Sequence, residues 1–220
     1  MKFNVKMKEW IAHASRLSRA LALLILALTA TSAYSASKTI LVVGDSLSAE
    51  YGLMRDTGWV TLLERRLQQE KFPAVVVNSS ISGDTTSGGK TRLPDLLKRY
   101  RPNIVILELG ANDALRGLSL SNTEANLRDM IAAAREIEAR VLLVGMQIPP
   151  NYGTDYRKKF AAIYPRLARE TGSALVPFLF EQLIERPDLF QADRIHPTAE
   201  AQPIMLETVW PKLKPLLPSK

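Results

Sequence analysis

Hydrolysing an ester without a metal takes a nucleophile, a base, a group that orients the base, and donors for the oxyanion. Ser46 is the candidate nucleophile, because it follows the apolar run Thr39-Ile-Leu-Val-Val43 within Gly44-Asp45-Ser46-Leu47-Ser48. A serine there is also placed to open and cap a helix. The chain has two histidines, His13 and His196. His196 stands three residues after Asp193 and directly before Pro197. One tight turn between them lets the carboxylate reach the imidazole Nδ1, fix the tautomer and aim Nε2 at a hydroxyl. Gly83, whose backbone can come close to a ligand, and Asn112, with its side-chain amide, are candidate oxyanion donors. Each of these residues alone has a structural explanation as a cap, a turn residue or an exposed histidine. Their joint occurrence carries the chemical reading. Asp45, Asp84 and Asp113 are expected to pin loops by accepting backbone N–H bonds.

Something must bring positions 46, 83, 112, 193 and 196 together. Apolar runs at 39–43, 74–77, 104–107, 141–144 and 174–176 read as buried strands. Between them lie helical patterns over 59–70, 87–99, 121–138 and 155–170. Pro94 falls inside the second of these, where a helix normally suffers. The third is expected to carry Glu124 in its first turn, and a last helix is expected to start at Thr198, capped by its hydroxyl. Continuous apolar strands alternating with helices imply a five-stranded parallel sheet covered on both faces. The expected fold is therefore α/β, a three-layer α/β/α sandwich of flavodoxin-like order. In such sheets ligands bind beyond the carboxyl ends of the strands, where the polar turns of this sequence fall.

Composition narrows the classes further. There is no cysteine, which excludes disulfides, thiolate metal sites and a cysteine nucleophile. Lys2, Lys6, Lys8, Arg16 and Arg19 against Glu9 contribute +4 of the formal +7 and leave +3 for the rest. Those remaining basic residues are scattered, which argues against nucleic-acid binding. Residues 1–35 read as a signal peptide: a basic start, an apolar stretch from Ala20 to Ala30 too short to span a bilayer, and Ala33-Tyr34-Ser35 before a cut after Ser35. The expected location is the periplasm or outside the cell, with no membrane span after cleavage, and a monomer is expected.

Gly44-Asp45-Ser46-Leu47-Ser48, Gly83, Gly110-Ala111-Asn112-Asp113 and Asp193-Arg194-Ile195-His196 together resemble the four sequence blocks of the SGNH (GDSL) hydrolases. Stretches 81–89, 108–117 and 196–203 are similar to the bacterial thioesterase, lysophospholipase and arylesterase members of that family. The resemblance runs in order over nearly all of residues 36–220 and implies a single SGNH hydrolase domain there. It implies Ser46 as nucleophile, His196 as base and Asp193 as its orienting acid. It also implies an oxyanion hole from the Ser46 N–H, the Gly83 N–H and the Asn112 side chain, with no metal or organic cofactor. Acyl-CoA thioesters, lysophospholipids and aryl esters are the implied small-molecule substrates, and the segment 109–120 is implied to close over them. Ala111 departs from the glycine often found at that place.

Leu115, Leu118, Ile148 and Pro149 are the candidate substrate-binding residues, with Pro150, Phe178, Leu179 and Leu189 as further apolar groups near strand ends. An α/β-hydrolase elbow fits poorly, since G-x-S-x-G fails at Ser48. An esterase of acetylated carbohydrate, a protease, and a non-catalytic flavodoxin-like protein binding phosphate or a cofactor stay open at this point.

Overall fold

The computed structural model describes Trp10 and residues 37–217, so the expected signal peptide lies outside the described residues except for Trp10. Five strands form one parallel sheet: β1 Lys38–Gly44, β2 Ala74–Asn78, β3 Ile104–Glu108, β4 Arg140–Val144 and β5 Ala174–Val176. Their order is β2-β1-β3-β4-β5, the flavodoxin-like arrangement. The helices are α1 Trp59–Gln69, α2 Thr86–Tyr100, α3 Ala111–Leu115, α4 Leu120–Glu136, α5 Thr154–Thr171 and α6 Gln202–Leu213. Helix α4 packs against α2 and α5, while α1 and α6 pack on each other. The expected three-layer fold is the fold observed.

Burial explains the run of apolar residues. Ile40 to Val43 and Val105 to Leu107 have no exposed surface, because β1 and β3 are covered above and below. Burying each such side chain is worth about 1.5–3 kcal/mol. Strand β2 lies at the sheet edge, and its Val75 stays exposed. Helix α2 runs unbroken through Pro94. Pro94 has no N–H to give the Lys90 carbonyl, and both residues are exposed, where water can take its place.

Three local expectations change. Helix α4 is capped by the Ser119 hydroxyl, which accepts from the Asn122 N–H, so Glu124 falls beyond the first turn. Glu124 instead pairs with Arg128 at 3.2 Å and with Arg166. Thr198 precedes a 3₁₀ turn, Ala199–Ala201, without a side-chain cap bond, and α6 starts only at Gln202. The short helix α3 holds Asn112, which the sequence placed in a turn. Among the described residues, no helix is long and apolar enough to cross a membrane.

The chain passes from β1 to β2 on one side, then crosses to β3 on the other. Beyond the carboxyl ends of β1 and β3 lies the point where the winding reverses, the place such sheets use for ligands.

Candidate active site

Ser46 stands at that point. After Gly44 the chain enters consecutive turns and not the expected helix. The Ala49 N–H reaches the Asp45 carbonyl at 2.9 Å, and the Leu47 N–H reaches Asp45 Oδ1 at 3.1 Å. Helix growth stops at Glu50, which adopts a left-handed φ of 59°. The Glu50 carboxylate accepts from the Asp56 and Gly58 N–H groups at 2.9 and 2.7 Å, which draws the chain aside.

His196, the expected base, arrives on a closed loop. Phe190 and Pro197 form an antiparallel bridge, and the Thr198 N–H donates to the Leu189 carbonyl at 2.8 Å. Within the loop, Asp193 Oδ1 accepts from the N–H groups of Ile195 and His196 at 2.9 and 3.0 Å. Its Oδ2 lies 2.6 Å from His196 Nδ1. On the other side of the ring, His196 Nε2 lies 2.9 Å from Ser46 Oγ. Residues separated by 150 positions thus form one hydrogen-bonded relay. Partial burial pushes the Asp193 carboxyl up, but the His196 and Ile195 N–H groups and the imidazole outweigh it and hold it at about 2.

Tyr51 and Gln191 complete the surroundings of His196. The Tyr51 ring lies 4.3 Å from the imidazole, centre to centre. Gln191 ties the loop: its N–H donates to the His196 carbonyl at 2.7 Å, its carbonyl accepts from the Arg194 N–H at 2.9 Å, and its Nε2 donates to the Tyr51 and Pro197 carbonyls. Neither residue was singled out from the sequence, where a tyrosine after Ser46 and a glutamine before Asp193 look like ordinary surface residues.

The expected oxyanion donors come from the loops after β2 and β3. Asn112, on α3, turns its Nδ2 to Asp45 Oδ2 at 3.0 Å, which occupies one of its two amide protons and leaves the other. The loop after β2 is held to β1, with the Ser79 N–H on the Val42 carbonyl and the Ile81 N–H on the Gly44 carbonyl. Gly83 sits in that loop at φ 78°, a conformation that favours glycine, and its carbonyl accepts from Arg116 Nη2 at 2.8 Å. No hydrogen bond among the described residues occupies the N–H of Ser46 or Gly83.

The three acids expected to pin loops do accept backbone N–H groups. Asp45 takes that of Leu47, Asp84 that of Thr85 at 2.9 Å, and Asp113 that of Thr86 at 2.9 Å. Asp84 also pairs with Arg92 at 2.8 Å, and Arg92 Nη1 bonds the Ser79 carbonyl. Beneath the turn that carries Ser46 lies a second carboxyl, Glu108, with no exposed surface. It ends β3 directly beside Gly44 in the sheet register. A Cβ on Gly44 would fall 2.8 Å from Glu108 Oε2 and from Ser48 Oγ, so any larger residue there would have to displace this buried pair. Burial pushes the Asp45 carboxyl up to about 6, against the pull of the Leu47 N–H and Asn112.

Ser46, Asn112 and His196 open into a cavity of about 530 Å³. Its walls include Leu115, Met146, Ile148, Pro149, Pro150, Phe178, Phe180 and Ile184, with Arg157 and Arg194 contributing charge. Gly83 and Leu118 fall outside this lining. Leu118 follows α3 and is exposed, with its carbonyl 3.4 Å from the Tyr156 hydroxyl. Leu179 and Leu189 turn inward and belong to the core. Among the described residues, no group of three or more His, Asp or Glu side chains is placed to hold a metal ion.

Residues 42–203 match the GDSL-like Lipase/Acylhydrolase family. The chain belongs to that family. It is 49% identical over 192 residues to Esterase TesA of Pseudomonas aeruginosa, covering 87% of this chain and 96% of the relative. It is 42% identical over 183 residues to Thioesterase 1/protease 1/lysophospholipase L1 of Escherichia coli K12, covering 83% and 86%. A crystal structure of TesA superimposes with a TM-score of 0.80 at 50% identity, covering 82% of this chain and all of that one. This GDSL acylhydrolase is an ester hydrolase on the α/β fold of its family. Within that frame, Glu108 is a further residue beside the site that sequence reasoning passed over. Its signal was present: an acid closes the otherwise apolar strand Ile104-Val-Ile-Leu-Glu108.

Proposed function

We propose that this protein is an exported hydrolase of acyl esters and thioesters that works through an acyl-enzyme on Ser46. The observation that carries the reading is the Asp193–His196–Ser46 relay at the mouth of an apolar cavity. Ser46 Oγ attacks the acyl carbonyl and passes its proton to His196 Nε2. The carbonyl oxygen becomes an oxyanion, bound by the N–H groups of Ser46 and Gly83 and by Asn112 Nδ2. Collapse of the tetrahedral intermediate breaks the bond to the leaving alcohol or thiol, which takes the proton from His196. Water, deprotonated by His196, then attacks the acyl-enzyme and releases the acid and Ser46. Asp193 stays ionised throughout and stabilises the imidazolium.

The cavity supports an acyl chain as its occupant. Its walls are mainly aliphatic and phenylalanine side chains, with Gln147, Arg157 and Arg194 the polar groups besides those around Ser46, and an acetyl group alone would leave it largely unfilled. The names of the relatives, an esterase and a thioesterase/lysophospholipase, agree with that choice. Arg157 and Arg194 suit a leaving group that carries negative charge. Residues 1–35 act as the export signal in this reading, and the processed chain 36–220 works as a monomer in the periplasm or outside the cell.

A series of p-nitrophenyl esters tests the acyl reading. Each buried methylene adds about 0.8 kcal/mol, roughly fourfold in kcat/KM, as the chain lengthens from acetate towards octanoate. A profile that is flat or highest at acetate would overturn it in favour of an acetylated carbohydrate. Asn112→Ala tests the oxyanion hole. Loss of one such donor should lower kcat by about 10²–10³-fold with little change in KM. An unaffected kcat would remove Asn112 from the mechanism.

A further inference from the structure

Glu108 is a buried acid for which the acyl-transfer scheme has no use. Its side chain has no exposed surface and, among the described residues, no cationic partner. Oε2 accepts from the Ser48 hydroxyl at 2.8 Å and from the Asp45 N–H at 3.3 Å. Oε1 is buried with no hydrogen-bond partner. An ionised carboxylate in such a place would leave one oxygen desolvated and unpaired, which is costly. The arrangement suits a neutral acid, in which one oxygen behaves as a carbonyl and the other carries hydrogen.

The neighbour that would receive that hydrogen is Asp45, whose backbone N–H lies 3.3 Å from Glu108 Oε2 and whose buried carboxylate charge acts on the Glu108 carboxyl. Asp45 already accepts from the Leu47 N–H and from Asn112, and so joins the nucleophile turn to an expected oxyanion donor. Two adjacent carboxylates in one apolar interior repel each other, and retaining one proton between them removes that repulsion. The other polar groups around the pair are few. Arg92, from α2, reaches the Gly44 carbonyl at 3.4 Å and is committed to Asp84. Tyr164, from α5, donates its hydroxyl to the Leu109 carbonyl at 3.0 Å. The charges of His196 and Asp84 act on Asp45 in opposite senses, and Asp113 is bonded to Thr86 and Thr123. None of these supplies a cation to Glu108.

We propose that Glu108 is a positioning residue that works as a neutral carboxylic acid: Oε2 holds the Asp45 N–H and the Ser48 hydroxyl, and its own O–H is given to the Asp45 carboxylate. Through these bonds it sets the turn that carries Ser46 and steadies the acceptor that holds Asn112. The direction of its titration agrees, since burial and the Asp45 charge hold the Glu108 carboxyl well above the ordinary range. The inference rests on the acyl-enzyme reading only for its kinetic consequence.

The test joins infrared spectroscopy with two substitutions. At neutral pH and without substrate, the purified protein should show the carbonyl stretch of a protonated carboxyl, and Glu108→Gln should lose it. Glutamine reproduces the shape, the acceptor and the donor of a neutral acid, so Glu108→Gln should keep kcat within about tenfold of the parent. Glu108→Ala strands two buried donors and should lower kcat by about 100-fold at nearly constant KM. Absence of the band from the parent protein overturns the proposal. So does a glutamine variant as impaired as the alanine variant, because that result would mean the negative charge matters. If Glu108→Ala does not fold, the band and the glutamine variant still decide. Labelling of Ser46 by a phosphonate checks the acyl-enzyme reading separately, so the two failures are distinguishable.

Discussion

Ser46→Ala should lower turnover of an activated ester by about 10⁶-fold, leaving the small rate that oxyanion donors and binding alone supply. The loss follows from chemistry and not from damage to the fold. Ser46 Oγ has one bond in the structure, to His196 Nε2, and removing it frees nothing that is deeply buried. The turn itself is held by backbone and by Asp45, through the bonds of Ala49 to the Asp45 carbonyl and of Leu47 to Oδ1. The melting temperature should therefore be unchanged while hydrolysis disappears. A phosphonate ester should add to the parent protein at Ser46 and leave the alanine variant unlabelled. Retained hydrolysis by the purified variant, or labelling of another serine, would refute Ser46 as the nucleophile. Both readouts are needed, because a contaminating esterase would mimic the first and a slow side reaction the second.

What could be read from the sequence followed physical signals of different strength. Strands β1, β3 and β4 were legible because burial on both faces forces unbroken apolar runs, and the less covered β2 and β5 because they too are short apolar runs; Thr39 to Val43 in the sequence becomes Lys38–Gly44 in the sheet. The relay was legible because His196 sits three residues from an acid, and a tight turn leaves that pair little freedom. Ser46 was legible as a strand-end serine, but its local structure was not. Helix and turn share their first bonds, and the left-handed residue that separates them is Glu50, which nothing in its type announces. Asn112 was read as a turn residue because the five-residue helix that carries it is too short to show a period. Leu118 was drawn to the pocket by hydrophobicity alone, which does not reveal the direction a side chain takes at the end of a short helix. Glu108 escaped because acids are read as surface residues unless position argues otherwise, and here position did. It follows an apolar strand without a turn residue between, at the register that faces Gly44. That glycine is required for the same reason, since the two sites compete for one small volume.

Asp193→Asn should lower kcat by up to about 10⁴-fold while KM changes little, the effect expected when a base is held in the wrong tautomer. The substitution keeps shape, so its consequence depends on which way the amide turns. Asp193 Oδ1 accepts two backbone N–H groups, those of Ile195 and His196, and Oδ2 faces Nδ1. If the asparagine oxygen keeps the two backbone bonds, its NH₂ meets His196 Nδ1, which must then be the acceptor. Nε2 consequently carries the hydrogen and has no lone pair to take the Ser46 proton. If the amide turns over, its NH₂ confronts two N–H donors and both bonds are lost. The first orientation is favoured by that margin, and it is the inactive one. Nitrogen NMR of the imidazole should show hydrogen on Nδ1 in the parent protein and on Nε2 in the variant. Stability should respond to pH in a matching way. The Asp193 carboxyl is lowered from 3.8 to about 2, so what it contributes is complete above 3.8 and is lost as pH falls through about 2. Asp193→Asn should remove that contribution, and with it the part of the acid unfolding that belongs to this carboxyl. A variant that keeps turnover within tenfold of the parent, or whose imidazole still carries hydrogen on Nδ1, would mean that Asp193 orients nothing the reaction needs.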